Sequence, residues 1–125
     1  MKYKVMIVED QTMPRELFEL RIQASEHFEV ALSIDNAALA DVYCLRFPVD
    51  LILMDVVTRN GESGLDAAER IKRAFPQIKI IIVTSMPECS YLSRAREIGV
   101  ESFWYKEEQR ESLLDVMERT MAGES

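Results

Sequence analysis

The hydrophobic period of this chain switches between two and 3.6 five times over. Strand-like apolar runs fall at about residues 3–8, 29–34, 50–54, 78–83 and 100–105. Each is followed by a stretch in which apolar residues recur at helical spacing. Leu17, Leu20 and Ala24 share one helical face, with Pro14 suited to a first turn. Leu39, Val42, Tyr43 and Arg46 form a second such face, with Asp35 or Asn36 as its N-cap. Leu65, Ala68, Ile71 and Phe75 mark a third helix, begun near Ser63 and stopped by Pro76. Leu92, Ala95 and Ile98 mark a fourth, with Ser85 as cap, Pro87 in the first turn and Gly99 at the end. Leu113, Met117 and Met121 mark a fifth. Strand–helix alternation of this kind predicts an α/β fold: a doubly wound, mostly parallel sheet with helices on both faces and right-handed crossovers. The run Ile78–Val83 is apolar on both faces apart from Lys79, as a central parallel strand should be.

Length and charge bound the rest. At 125 residues the chain is one domain by prior, large enough for a single core. A net charge of −7 argues against broad DNA binding by this segment, because phosphate contacts need clustered Lys and Arg. Cys44 and Cys89 have neither metal nor redox spacing, and no signal peptide precedes them, so reduced thiols in a cytoplasmic protein are expected. The apolar runs are strand length, so no membrane association is expected. His27 is the sole histidine, which removes any His-based triad. Residues 1–122 read as the domain, and residues 123–125 as the start of a linker or an artificial end.

Chemically loaded residues sit where four of the apolar runs stop. Glu9 and Asp10 follow the first, Asp55 closes the third, Thr84 follows the fourth and Lys106 the fifth. Open α/β sheets place their ligands at the carboxyl ends of strands. Asp55, ionised, is a nucleophile able to form an acyl phosphate. Glu9, Asp10 and Asp55 are hard oxygen donors suited to Mg²⁺, and the backbone carbonyl of Val57 would complete the shell. Such a cation is needed, since a phosphate approaching three carboxylates is otherwise repelled. Lys106 supplies a point charge to a phosphate oxygen and Thr84 a hydroxyl donor. Singly, each of these residues is more simply a loop carboxylate, a helix cap or a surface lysine. Jointly, at consecutive strand ends, they are hard to obtain by accident.

With those residues on the page the chain resembles the receiver domain of two-component response regulators. The matching pieces are Val8-Glu9-Asp10, Leu53-Met54-Asp55, Gly64-Leu65, Val83-Thr84-Ser85 and Phe103-Trp104-Tyr105-Lys106, spread over about residues 3 to 121. The resemblance implies a flavodoxin-like (βα)5 fold of strand order 2-1-3-4-5. It implies Mg²⁺-dependent transfer of a phosphoryl group from a sensor histidine kinase to Asp55. Glu9 and Asp10 match the metal-binding acidic pair, Thr84 and Lys106 the phosphoryl-contacting residues, and Phe103 the aromatic switch. The stretch Tyr91–Val100 is similar to receivers that precede a LuxR-type helix-turn-helix domain. The expectation is therefore the N-terminal part of a transcription regulator, reaching DNA only through a C-terminal domain beyond Gly123. Met86, Tyr91, Met117 and Met121 are expected in the core, with a homodimer face as the other reading.

Several positions depart from the family's pattern. The segment Val56–Ser63 is about one residue longer than usual and lacks the common proline. Arg59 within it would influence phosphoryl lifetime. Glu107 replaces the proline that usually follows the lysine. Phe103 stands where tyrosine is frequent, and Gln11, after the acidic pair, offers an amide without charge. Other functions weigh less. An aspartyl-nucleophile phosphatase needs a second acid two residues on, where this chain has Val57. A nucleotide or flavin module needs a phosphate-cradling loop where Glu9-Asp10-Gln11 stands. A receiver-like interaction module never controlled by phosphorylation is the remaining alternative.

Overall fold

The computed structural model describes residues 1–56, 58, 63–85, 89–106 and 111–123, with residues 89 and 90 as backbone. Its strands are β1 (Tyr3–Val8), β2 (Phe28–Ile34), β3 (Leu51–Asp55), β4 (Lys79–Thr84) and β5 (Ser102–Tyr105). Its helices are α1 (Thr12–Gln23), α2 (Ala40–Arg46), α3 (Gly64–Ala74), α4 (Cys89–Ile98) and α5 (Leu113–Met121), with a short 3-10 turn at Ala37–Leu39 before α2. The five strands form one parallel sheet in the order β2-β1-β3-β4-β5. This is the flavodoxin-like arrangement expected from the sequence. Element ends move by one or two residues, as terminal fraying allows.

Alternation along the strands builds two apolar layers. Val5, Ile7, Leu51, Leu53, Ile81, Val83 and Trp104 face α1 and α5, meeting Phe18, Ile22, Leu113, Val116 and Met117. Met6, Val8, Ile52, Met54, Ile80 and Ile82 face the other way, onto Ala40, Cys44, Leu65, Ala68, Ile71 and Ala95. Trp104 therefore lies on the opposite face from Phe103, which packs against the second layer. Both layers exclude water, so the three middle strands carry almost no polar side chain until they end.

Two helical faces differ from expectation. In α1 the buried residues are Phe18 and Ile22, whereas Leu17 and Leu20 are 50% and 63% exposed. Around α2 the inward positions are Ala37, Ala40 and Cys44, while Leu39 and Val42 are exposed. Small side chains let that segment approach the sheet closely, and this outweighs the hydropathy of its larger neighbours. The caps are mostly as read. Asn36 accepts from the Ala38 N–H, Ser63 from the Asp66 N–H, and Gly99 ends α4 at φ +98°. Pro87 and Met86 lie outside the described residues.

Candidate functional site

β1 and β3 lie side by side at the sheet's centre, so Val8 pairs with Met54 and the residues that follow each strand share one rim. Glu9 and Asp10 follow β1; Asp55 ends β3 and is paired with Val83 of β4. One carboxylate oxygen from each of Glu9, Asp10 and Asp55 lies within 4.8 Å of the others. The ligand oxygens of an octahedral Mg²⁺ span up to about 4.2 Å, since each lies about 2.1 Å from the ion. The donor set is thus of the right chemistry for a small divalent cation, and its spread is bounded close to the size of that ion's ligand shell.

Lys106 completes the cluster from β5. Its Nζ is 2.6 Å from Glu9 Oε1 and 3.6 Å from Asp55 Oδ2. Its backbone N–H donates to the Thr84 carbonyl at 2.9 Å, which ties the end of β5 to the end of β4. Glu9 is 1% exposed and is paired with this lysine rather than with solvent. It has further support: the Gln11 N–H donates to its Oε2, and Arg15 Nη1 donates to its carbonyl at 3.0 Å. Among the described residues the three carboxylates share the Lys106 ammonium, with the Arg15 guanidinium on the Glu9 carbonyl, and a divalent cation would add to that positive charge.

Asp55 carries the consequence. Burial lifts its carboxyl from the ordinary range to about 7, and the neighbouring Glu9 charge adds to the rise. Lys106 and the Val56 N–H, which donates to Asp55 Oδ1 at 2.8 Å, pull the other way. A divalent cation bound here would favour the carboxylate form. Gly64 seals the site from below. A Cβ there would stand 1.8 Å from the Asp55 carbonyl oxygen, so only glycine lets α3 begin against the end of β3. The Gly64 N–H donates to the Val56 carbonyl at 2.7 Å.

Glu9, Asp10, Asp55 and Lys106 are thus brought together as expected. Thr84 ends β4 one position beyond the partner of Asp55, and Phe103 is half-buried opposite Ile82. Val57, Arg59 and Glu107 lie outside the described residues. Two contributors escaped the sequence reading. Arg15 gave no signal beyond its place in the first turn of α1. Thr58 gave one, a β-branched polar residue inside the loop that follows the central carboxylate. It is 2% exposed, and its Oγ1 accepts the Ala37 N–H at 2.9 Å.

The sequence matches the response regulator receiver domain family over residues 5–118. The chain belongs to that family. VraR, a response regulator protein of Staphylococcus epidermidis, is 31% identical over 125 residues, all of this chain and 59% of VraR. VraR of Staphylococcus aureus is 30% identical over the same span. The receiver thus spans about three-fifths of these relatives. A solved DNA-binding response regulator of the LuxR family from Staphylococcus aureus is 26% identical, with a TM-score of 0.83 over 97% of each chain. The LuxR-family regulator from Aurantimonas sp. shares the fold, with a TM-score of 0.90 at 22% identity, over 99% of this receiver and 88% of that chain. The receiver is therefore a two-component signalling domain, homologous to DNA-binding regulators. Among its described residues no helix is long and apolar enough to cross a membrane.

Proposed function

We propose that this receiver is a phosphorylation switch in which Asp55 accepts a phosphoryl group from a sensor histidine kinase. The observation that carries the reading is the convergence of Asp55, Glu9, Asp10 and Lys106 from three strand ends onto one rim. A carboxylate oxygen of Asp55 attacks phosphorus while the bond from phosphorus to the donor's histidine nitrogen breaks. The donor histidine, protonated on its other ring nitrogen, keeps the electron pair of the broken bond and leaves as the neutral imidazole, and Asp55 becomes an acyl phosphate. Glu9, Asp10 and Asp55 would hold Mg²⁺, with the carbonyl of Val57, which lies outside the described residues, as the further ligand expected from the sequence; the ion would supply charge neutralisation for the incoming phosphoryl group. Lys106 exchanges its contact with Glu9 for a phosphoryl oxygen, and the Thr84 hydroxyl donates to another. Movement of the segment after β4 then makes room for Phe103 to turn inward. The surface of α4, β5 and α5 changes as a result, because the two states make different contacts.

Residues 1–122 constitute the switch, and residues from 123 onward begin a linker toward a DNA-binding output domain. The setting is cytoplasmic, and pairing of two receivers belongs to the same reading. The test is chemical. The protein is incubated with Mg²⁺ and acetyl phosphate, and its intact mass is measured. One added phosphoryl group is expected, absent in Asp55→Asn and absent when EDTA replaces Mg²⁺. Labelling that persists in Asp55→Asn, or none from acetyl phosphate and a cognate kinase alike, overturns the reading in favour of an interaction module.

A further inference from the structure

Thr58 is a polar side chain with almost no solvent exposure, three residues beyond the proposed phosphoacceptor. Its hydroxyl oxygen accepts the N–H of Ala37, the first residue of the turn before α2. That N–H is itself at a buried residue, so the bond cannot simply be exchanged for one to water. We infer that Thr58 is a positioning residue for the site. It latches the segment after Asp55 to the segment after β2 and so fixes the direction from which the Val56 N–H meets the carboxylate.

Three bonds make the case together. The Val56 N–H holds Asp55 Oδ1 at 2.8 Å, which leaves Oδ2 as the oxygen facing Lys106. The Val56 carbonyl is held from α3 by the Gly64 N–H at 2.7 Å. Val56 is thus held through both of its backbone polar groups. Thr58, two residues later, is held to a different segment, through Ala37. An apolar side chain at 58 would fill the same space without a bond. It would also strand the Ala37 donor, whose loss has no substitute partner within a buried site. The inference rests on the phosphoacceptor reading for its purpose but not for its geometry.

The decisive comparison is Thr58→Val, which keeps volume and loses the acceptor, with Thr58→Ser, which keeps the acceptor. Two readouts go beyond stability. The first is the amide resonance of Val56 in ¹⁵N-labelled, metal-free protein. It is expected to shift in Thr58→Val as the bond to Asp55 loosens and to stay at its wild-type position in Thr58→Ser. The second is Mg²⁺ affinity by fluorescence titration, expected to weaken about tenfold in Thr58→Val and to recover in Thr58→Ser, since loss of an orienting partner behind a ligand typically costs 10–100-fold. A purely structural role would lower the unfolding midpoint and leave both unchanged. An unmoved Val56 amide in folded Thr58→Val overturns the inference, as does unchanged Mg²⁺ affinity. Failure of Thr58→Ser to restore either also overturns it. Should Thr58→Val not fold, Thr58→Cys, a weak acceptor of similar size, is read by the same two measurements. Should the wild type take no phosphoryl group, the function proposed above fails while the Val56 amide still decides the role of Thr58.

Discussion

Asp55 is held in a state of tension that a cation resolves. Its carboxyl stands at about 7 in the fold against about 4 in an unfolded chain. A raised carboxyl contributes stability that is full below the unfolded value and is lost as pH climbs through the folded one. Metal-free protein should therefore lose stability between about pH 4 and pH 7 from this group, by an amount on the order of a few kcal/mol. Asp55→Asn removes the dependence. In urea unfolding with EDTA, the variant's advantage over wild type should widen across that window and level off above it. A constant difference across the window would remove Asp55 as the cause. Gly64 supplies a second residue-scale prediction. Gly64→Ala drives a methyl group into the Asp55 carbonyl, which backbone movement alone can relieve. A loss of about 2–3 kcal/mol or more is expected by denaturant unfolding, together with weakened Mg²⁺ binding.

At the scale of the element, α1 separates what composition suggests from what packing decides. Ile22 is fully buried, while Leu17 and Leu20 stand largely in solvent. Ile22→Ala should cost about 2–5 kcal/mol in chemical denaturation. Leu17→Ser and Leu20→Ser should each stay within about 0.5 kcal/mol of wild type, as surface changes do. The opposite order would return the inward face to Leu17 and Leu20. The strands, by contrast, were legible to within a residue or two at their ends: short apolar runs alternating with helical periods read as strands, and the strand order followed from the family resemblance. Helix faces were less so, because α1 carries apolar residues on more than one side and α2 turns alanine and cysteine inward. The site divides the same way. Glu9, Asp10, Asp55 and Lys106 declare themselves by standing where apolar runs stop. Arg15 acts through a carbonyl and Thr58 through a backbone amide, and backbone partners leave no trace in residue identity.

For the whole molecule, the sheet is the medium that joins the site to the opposite layer. Trp104 is the sole tryptophan, 5% exposed, edge-on to Phe18 with ring centroids 6.1 Å apart. Its Nε1 donates to the Glu111 carbonyl at 3.0 Å, just before α5. It lies two residues before Lys106 and lines a groove with Pro14, Leu17 and Arg21. A change in the Lys106 contacts therefore reaches an indole anchored to both α1 and the start of α5. Addition of beryllofluoride with Mg²⁺ should alter the emission intensity of Trp104, and Asp55→Asn should be silent. An equal response in that variant would place the change outside the site.

The contact between Lys106 and Glu9 joins residues 97 positions apart. The contact is wholly long-range, since β1 meets β5 only through the intervening β3 and β4. During synthesis from the N-terminus the acidic residues emerge first, and the lysine only after most of the domain has left the ribosome. An unfinished chain thus holds the carboxylates without their lysine counter-charge. Under the switch proposed above, a copy cut short of Lys106 should take no phosphoryl group.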